Sequence, residues 1–208
     1  MPYQVTLTPL PHTHVVLWHL TEDVATLLAL WGKTELPSRY MEAVTDKRRR
    51  EILATHLVMR HYYGNDVALF HRVDGSPYTH HGYISVSHTA QYVAVAFSPC
   101  YRVGVDVEMI GVKAPRAAKR FLQPGELEAL PDDAYDEAAH ICWAAKEVAY
   151  KLFPADAADF SQAITLSPVV QRPNGSLTAR VGIEVPRIIT VWYSLCNDYV
   201  LACAEEPV

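Results

Sequence analysis

The chain has 208 residues, enough for one large domain or two small ones around a sizeable core. Half of the residues are hydrophobic and a fifth are charged, which argues against long disordered regions. The net charge is −5, yet residues 33–60 hold seven Lys/Arg against four Asp/Glu, and residues 111–125 hold four basic residues and no acid. An acidic chain with two basic islands favours binding of a discrete anion over tracking of a nucleic acid backbone.

No targeting or membrane-spanning segment is predicted from the sequence. Residues 1–16 lack the basic region and unbroken apolar run of a signal peptide. No window approaches the roughly 18 uncharged apolar residues that a membrane span requires. The four cysteines never adopt CxxC spacing and two of them lie in apolar stretches, which favours reduced thiols. We therefore expect a cytoplasmic protein.

The first half of the chain predicts a strand, two helices and a hairpin. Val15–Leu20 is predicted as a strand, and Thr21–Trp31 as a helix with the Thr21 hydroxyl as its N-cap. A longer helix is predicted over Asp46–Tyr63, with Gly64 ending it. Two apolar runs separated by a short polar turn make Tyr83–Phe97 a hairpin.

The second half begins with a predicted strand at Tyr101–Ile110. Helices are expected over Pro115–Leu122, after Pro124, and over Ala138–Phe153. The remaining predicted elements are short strands near Ile164–Leu166, Leu177–Val181, Ile188–Leu195 and Tyr199–Ala204.

One internal repeat suggests the architecture. QYVAVAF at 91–97 resembles DYVLACA at 198–204, and each segment closes a hairpin that follows an apolar helix. We therefore expect an α+β fold of two similar halves related by a pseudo-twofold axis, each with a small antiparallel sheet and a long helix. The expected halves are residues 1–100 and 101–208.

Two carboxylates stand out on the strand after this junction. Asp106 and Glu108 alternate with valines, so both side chains leave the same face of the strand. Carboxylates at this spacing repel unless water or a cation screens them. The face is either an exposed polar edge or a platform for a divalent metal. The absence of accompanying Cys or His would favour Mg²⁺, or Mn²⁺, over zinc.

The apolar segment Ile141–Phe153 carries three charges, Lys146, Glu147 and Lys151. Glu147 and Lys151 lie four residues apart and are able to form a simple helical ion pair. Alternatively, all three charges face a shared cleft, where Glu147 supplies a third carboxylate to a metal site and Lys151 meets phosphate charge.

These two segments resemble the bipartite signature of the 4′-phosphopantetheinyl transferases. G-V-D-V-E at 104–108 fits the first part, G-[VI]-D-x-E, and W-A-A-K-E-V-A-Y-K at 143–151 fits the second, [WF]-x-x-K-E-x-x-x-K. Asp106 and Glu147 are 41 residues apart, close to the separation in the family. A third family element, S-H-[ST], matches residues 87–89. The size and doubled layout are similar to the monomeric Sfp type.

The resemblance implies transfer of the 4′-phosphopantetheine arm of coenzyme A to a serine of an apo acyl or peptidyl carrier protein, releasing 3′,5′-ADP. Asp106, Glu108 and Glu147 would hold the metal, and Glu147 would help to remove the serine proton. Lys151 and Lys146 would meet the pyrophosphate. Catalysis would consist mostly of positioning and electrostatics.

The resemblance also implies the residues that bind the coenzyme. Ser87 and His88 would contact phosphate, and Arg49 and His56 correspond loosely to the two arginines of the family pattern R-x-E-x-L-A-x-R. A histidine at position 56 would bind phosphate best when protonated, so affinity for the coenzyme would weaken as pH rises. Ser76 stands where the family has lysine, which removes one cation near the nucleotide.

The second basic island contains Lys113, Arg116, Lys119 and Arg120. It is either a solvated helix or, as the resemblance implies, a docking site for acidic carrier proteins. Two other functions remain open. A metal-dependent nucleotide pyrophosphohydrolase would use the same carboxylates without a carrier protein, and a non-catalytic relative would bind coenzyme A or a carrier protein without turnover.

Overall fold

A computed structural model describes residues 4–157 and 159–208. The first half of the chain contains six strands and three helices in the described part. In chain order they are β1 (Gln4–Leu10), β2 (Thr13–His19), α1 (Val24–Trp31), α2 (Ser38–Glu42), α3 (Asp46–Tyr63), β3 (Phe70–His71), β4 (Pro77–Tyr78), β5 (Tyr83–His88) and β6 (Tyr92–Ser98).

The second half contains a long helix, α6, between a first strand and a group of later strands. Its described elements are β7 (Tyr101–Met109), α4 (Lys113–Phe121), α5 (Pro124–Glu128), a 3₁₀ turn (Asp132–Ala134), α6 (Tyr135–Leu152), α7 (Phe160–Ala163), β8 (Ile164–Leu166), β9 (Asn174–Val181), β10 (Arg187–Leu195) and β11 (Tyr199–Pro207). No helix in the described part of the chain is both long and apolar enough to cross a membrane.

Most predicted elements are confirmed, with shifted ends. Helix α3 has the predicted bounds, and Gly64 ends it at a φ of 72°, a left-handed conformation that glycine adopts without strain. The predicted cap of α1 is wrong, because the helix begins at Val24 and the Asp23 side chain accepts a hydrogen bond from the Thr26 amide at 2.8 Å.

The strands form two main antiparallel sheets, which confirms an α+β class. One sheet has the order β1-β2-β6-β5, the other β7-β11-β10-β9-β8, and β3 pairs with β4 separately. In each main sheet, the last strand of the repeat (β6 or β11) lies between its hairpin partner and the strand that precedes the long helix. The helix-then-hairpin order therefore recurs, while the pseudo-twofold axis stays a prediction.

Each long helix covers one face of a sheet. Helix α3 packs on the first sheet through a core that includes Trp18, Leu53 and Phe97, and α6 packs on the second around Ile141 and Val148. The opposite faces pack against each other through a third apolar cluster on β2, β6, β7 and β11. Strand β5 is thereby brought alongside β7, next to the two predicted carboxylates.

Candidate active site

A glycine allows helix α6 to lie directly on strand β7. A Cβ atom at position 104 would stand 2.7 Å from the carbonyl oxygen of Val148 and 3.2 Å from Leu152 Cγ, so any larger residue would push the helix away. This close approach lets Lys151 Nζ donate to the Val105 carbonyl at 2.9 Å. The two halves of the sequence signature therefore meet through backbone packing.

Asp106 is the most buried carboxylate at this contact, with 3% of its surface exposed. Its Oδ1 atom accepts hydrogen bonds from Ser87 Oγ at 2.8 Å and from Lys151 Nζ at 2.7 Å. Its Oδ2 atom is buried and has no hydrogen-bond partner among the described residues. An unsatisfied buried carboxylate oxygen is costly and rare, which marks this atom as one that needs a further cation or donor.

The two glutamates lie in the electrostatic field of Asp106. Burial, together with the Asp106 charge, raises the pKa of Glu108 to about 7, although Trp143 Nε1 donates to Glu108 Oε1 at 3.0 Å. Burial and Asp106 also raise the pKa of Glu147, and the Lys151 ammonium partly offsets this rise. The raised pKa values indicate carboxylates whose negative charge is only partly compensated.

The metal site expected from the sequence is present only in part. Within residues 4–157 and 159–208, no group of three or more His, Cys, Asp or Glu side chains is arranged to hold a metal ion. The structure thus does not assemble Asp106, Glu108 and Glu147 into a ready ligand set, and their joint role as ligands stays a prediction. The donor chemistry nevertheless fits a hard cation, because Asp106 Oδ2 is an unpartnered oxygen.

Lys146 corrects the expectation that the three charges of α6 share a cleft. Its ammonium is fully buried and donates to Phe121 O at 2.8 Å, Glu126 Oε2 at 2.8 Å and Ile164 O at 2.7 Å. Neighbouring residues of a helix point about 100° apart, so Lys146 faces the interior, away from the Asp106 site. All three ammonium hydrogens are used, and the predicted contact of Lys146 with pyrophosphate is wrong.

Ser87 is also used within the protein. Its side chain is buried, its hydroxyl donates to Asp106, and its oxygen accepts the Val107 amide hydrogen at 3.3 Å. The hydroxyl hydrogen of Ser87 is thus committed to Asp106 in this arrangement, and the direct contact of Ser87 with phosphate stays a prediction. Ser87 here orients Asp106. The S-H-[ST] segment at residues 87–89 and the carboxylate of the first signature segment are therefore joined by a hydrogen bond.

A second feature is an open cleft on the N-terminal half, with a volume of about 140 Å³. It lies between α3 and the neighbouring elements α2, β3 and β5. The ionisable side chains that line it are Arg39, Arg48, Glu51, His56, His71 and His88. The arginines outnumber the carboxylate, and the cleft is therefore suited to an anion.

The cleft contains only some of the predicted coenzyme-binding residues. His56 and His88 line it, whereas Arg49 lies outside its lining and pairs with Asp46, with 3.1 Å between Nη1 and Oδ1. Arg48 takes the position expected for Arg49. The turn with Ser76 contributes Gly75 and Pro77 to the wall, and Ser76 Oγ donates to Asp74 at 2.7 Å.

Arg39 and His71 are lining residues that sequence reasoning missed. Arg39 lies on α2, which has five residues, and His71 on β3, which has two. Elements this short show no hydrophobic period. The basic excess in residues 33–60 was the one signal that pointed towards Arg39.

The environment of His56 disfavours its charged form. Burial, with a smaller contribution from His71, lowers the pKa of His56 to about 4. The imidazole is therefore neutral between pH 6 and 8. The control of coenzyme affinity by protonation of His56 stays a prediction, because this lowered pKa belongs to the protein without an anion in the cleft.

The second basic island is a helix with its cations on the solvent side. Ala114, Ala118 and Phe121 bury one face of α4. The opposite face exposes Lys113, Arg116, Lys119 and Arg120, which form no ion pair within the described part of the chain. Nearby, Phe121 meets Trp143 edge-on with 5.0 Å between ring centroids, and Trp143 lies tilted against Phe160 with 5.5 Å between centroids.

Comparison with known families gives one finding. Residues 102–204 match the family described as the 4′-phosphopantetheinyl transferase superfamily. A search of curated proteins gives no match. The matched region begins on β7 and ends on β11, and it contains Asp106, Glu108, Glu147 and Lys151. Residues 102–204 therefore form a domain of the 4′-phosphopantetheinyl transferase superfamily.

Proposed function

We propose that the protein transfers the 4′-phosphopantetheine arm of coenzyme A to a serine hydroxyl of an apo acyl or peptidyl carrier protein and releases 3′,5′-ADP. The observation that carries this proposal is Asp106, whose Oδ1 is fixed by Ser87 and Lys151 while its buried Oδ2 is unpartnered. This carboxylate lies inside the region that matches the transferase superfamily. The proposal includes a cytoplasmic location, a monomeric state and membership of the Sfp type.

The two halves would divide the substrate between them. Residues 1–100 would bind the nucleotide end of the coenzyme, and residues 101–208 would provide the metal and the catalytic residues, around a pseudo-twofold axis. Support comes from the anion cleft on the first half and the carboxylates on the second. Strand β5 links the two regions, because Ser87 touches Asp106 and the next residue, His88, lines the cleft.

Asp106 Oδ2, together with Glu108 and Glu147, would hold Mg²⁺ or Mn²⁺. A bound divalent ion would neutralise charge on the pyrophosphate as the leaving group forms. Lys151 would keep Asp106 Oδ1 in place and offer its partly exposed ammonium to the pyrophosphate, since 25% of the side chain is accessible.

Glu147 is the proposed proton acceptor. Its pKa is raised by burial and by Asp106, which makes the carboxylate a better base near neutral pH than an ordinary glutamate. The serine oxygen would attack the phosphorus that carries the pantetheine arm as its proton passes to Glu147. The bond from that phosphorus to the oxygen of the nucleotide phosphate would break, and 3′,5′-ADP would leave.

The cations of α4 are the proposed docking site for the carrier protein. Lys113, Arg116, Lys119 and Arg120 are exposed, and the ion pairs of the described residues leave them without an internal acid. Complementary charge accelerates encounter and fixes orientation more than it adds affinity. An acidic carrier protein fits this surface.

The test is the intact mass of several apo carrier proteins after incubation with the protein, coenzyme A and Mg²⁺. We expect a gain equal to the mass of the phosphopantetheine arm, on the acceptor serine, which disappears with Glu147→Gln. Formation of 3′,5′-ADP without a change in carrier mass would indicate a pyrophosphohydrolase instead. Binding of coenzyme A with neither product would indicate a non-catalytic relative.

A further inference from the structure

Arg48 and His88 make a direct contact at the wall of the anion cleft. Arg48 Nη1 lies 3.0 Å from His88 Nε2. A guanidinium has only donors, so Nε2 must be the acceptor and the hydrogen of the neutral imidazole must be on Nδ1. Nδ1 lies 3.4 Å from Glu51 Oε1, which is consistent with this tautomer.

In this arrangement His88 has no Nε2 hydrogen to offer an anion. Protonation would place an N–H at Nε2 against an N–H of Arg48, and two donors cannot bond to each other. Burial lowers the pKa of His88, Glu51 raises it, and Arg48 and Lys151 lower it further, with a net downward shift. In the free protein, His88 is therefore held in its neutral form and covered by Arg48.

The ionisable groups around His88 include more cationic than anionic side chains. The one carboxylate among the ionisable lining residues, Glu51, is already engaged with Arg48 at 3.0 Å and with Lys47 at 3.8 Å. The other charged or titratable groups that face this region are Arg39 on α2, His56 on α3, His71 on β3 and Lys151 on α6. An entering anion would supply the negative charge that the wall lacks.

We propose that Arg48 and His88 form a coupled anion-binding pair, in which an entering phosphate or sulfate group draws the Arg48 guanidinium away from His88 Nε2. His88 then takes one proton from the buffer and donates the new Nε2 hydrogen to the same anion. The identification of this anion with a phosphate of coenzyme A rests on the proposed function. The coupling itself rests on the donor and acceptor geometry of the two side chains.

The coupling makes anion binding a proton-uptake reaction. Because the bound form holds more protons than the free form, affinity must fall as pH rises. The loss approaches about tenfold per pH unit where uptake is one full proton. His71 is also a candidate for uptake, because burial, Arg39 and Arg48 lower its pKa. His56, with a pKa of about 4, lies too far from neutrality to contribute in the same way.

The experiment is calorimetric titration of sulfate into the full chain at pH 7, in two buffers of different ionisation enthalpy. Sulfate does not titrate near neutral pH, so any proton exchanged belongs to the protein. The wild type is expected to take up a large fraction of one proton, and His88→Gln to lose that uptake. His61→Gln, a matched control on the exposed side of α3, should retain it, and His71→Gln tests whether the second candidate histidine carries the proton instead.

A second measurement follows the imidazole resonances of His88 by NMR. Sulfate should shift the His88 titration to higher pH, and Arg48→Met should shift it upward in the absence of sulfate because the covering donor is gone. Sulfate binding without proton uptake, uptake lost in His71→Gln but kept in His88→Gln, or no sulfate binding would each overturn the proposal.

The same titration with 3′,5′-ADP separates this inference from the proposed function. If sulfate and 3′,5′-ADP bind with proton uptake but the protein modifies no carrier, the inference on Arg48 and His88 would stand and the proposed transferase activity would be wrong. Carrier modification with no proton uptake would do the reverse.

Discussion

Two lysines five residues apart on α6 form two different ion pairs with aspartate or glutamate. Lys146 is fully buried, and Glu126 together with two backbone carbonyls satisfies its ammonium. Lys151 is 25% exposed, and its partner Asp106 retains a buried oxygen without a partner. The Lys146 ammonium therefore has no hydrogen left for a ligand, whereas the Lys151–Asp106 pair still has one oxygen, Asp106 Oδ2, that a ligand could contact.

The difference separates a structural ion pair from a candidate catalytic one. A buried pair whose donors and acceptors are all used holds elements together and has nothing left to offer. A buried pair with one unsatisfied oxygen has a desolvation cost that a ligand relieves. Both lysines belong to the same sequence signature, so the signature alone does not distinguish the two roles.

The largest expected effect is on the Asp106 side of the helix. Glu147→Gln removes the proposed proton acceptor but keeps the shape of the side chain, and kcat for transfer should fall roughly a hundredfold to ten-thousandfold. Because desolvation already penalises the charge of Glu147, the free energy of unfolding should fall little or not at all. Paired measurements of transfer rate and urea unfolding check both expectations, and a variant with normal kcat would contradict the assignment.

Lys146→Met should show the opposite pattern. The change leaves the Glu126 carboxylate uncompensated in the interior, and breaking a buried pair in this way costs about 3–5 kcal/mol of unfolding free energy. The double variant with Glu126→Gln should recover part of that loss, because no charge then remains unpaired. At a temperature where Lys146→Met is still folded, kcat should stay near the wild-type value. A loss of kcat without a loss of stability would instead assign Lys146 a role in catalysis.

The contrast between these lysines also shows the reach of sequence reasoning. The alternating valines predicted β7, the apolar run predicted α6, and the family signature predicted that Asp106 and Glu147 act at one site. The direction of Lys146 depended on Glu126, which arrives from the short helix α5. That contact has no local signal in the sequence. Arg39 and His71 were missed for the related reason that their elements are too short to show a period.

The buried His56 predicts how the free energy of unfolding depends on acidic pH. The folded state lowers the pKa of His56 from an ordinary value of 6.5 to about 4, chiefly by burial. The unfolded chain therefore binds this proton first as pH falls. The stability contributed by neutral His56 is fully present above pH 6.5 and is lost towards pH 4, by about 3 kcal/mol in total.

His56→Gln should therefore lose less unfolding free energy than the wild type between pH 6.5 and pH 4. Urea unfolding at several pH values measures the difference in slope, and His61→Gln controls for the loss of a histidine on the same helix. Equal slopes for wild type and His56→Gln would show that His56 is accessible to protons in the folded state.

Two serines on β5 form a matched test of the Asp106 arrangement. Ser85 Oγ accepts the Val105 amide hydrogen at 3.1 Å, and Ser87 Oγ accepts that of Val107 at 3.3 Å. Only Ser87 also donates to Asp106 among these two. Either change to alanine should cost about 1–3 kcal/mol, because a buried amide loses its acceptor. Ser87→Ala alone should also lower kcat, and an equal effect of Ser85→Ala would assign both effects to strand packing.

The smallest expected effect concerns α4, where the cations are exposed and screened. Lys119→Glu with Arg120→Glu should raise the KM for an acidic carrier protein severalfold and leave the KM for coenzyme A unchanged. Surface charges act mainly on encounter, and each exposed pair contributes about 0.2–1 kcal/mol. Arg102→Glu with Arg180→Glu gives the same change in net charge at exposed positions on β7 and β9. If both pairs raise the carrier KM equally, overall charge explains the effect, and α4 would not be a docking site. If only the α4 substitutions raise the carrier KM, and added salt removes the difference, α4 is the docking site. The domain would then bind its protein substrate through an exposed charged helix and perform its chemistry at the buried Lys151–Asp106 pair.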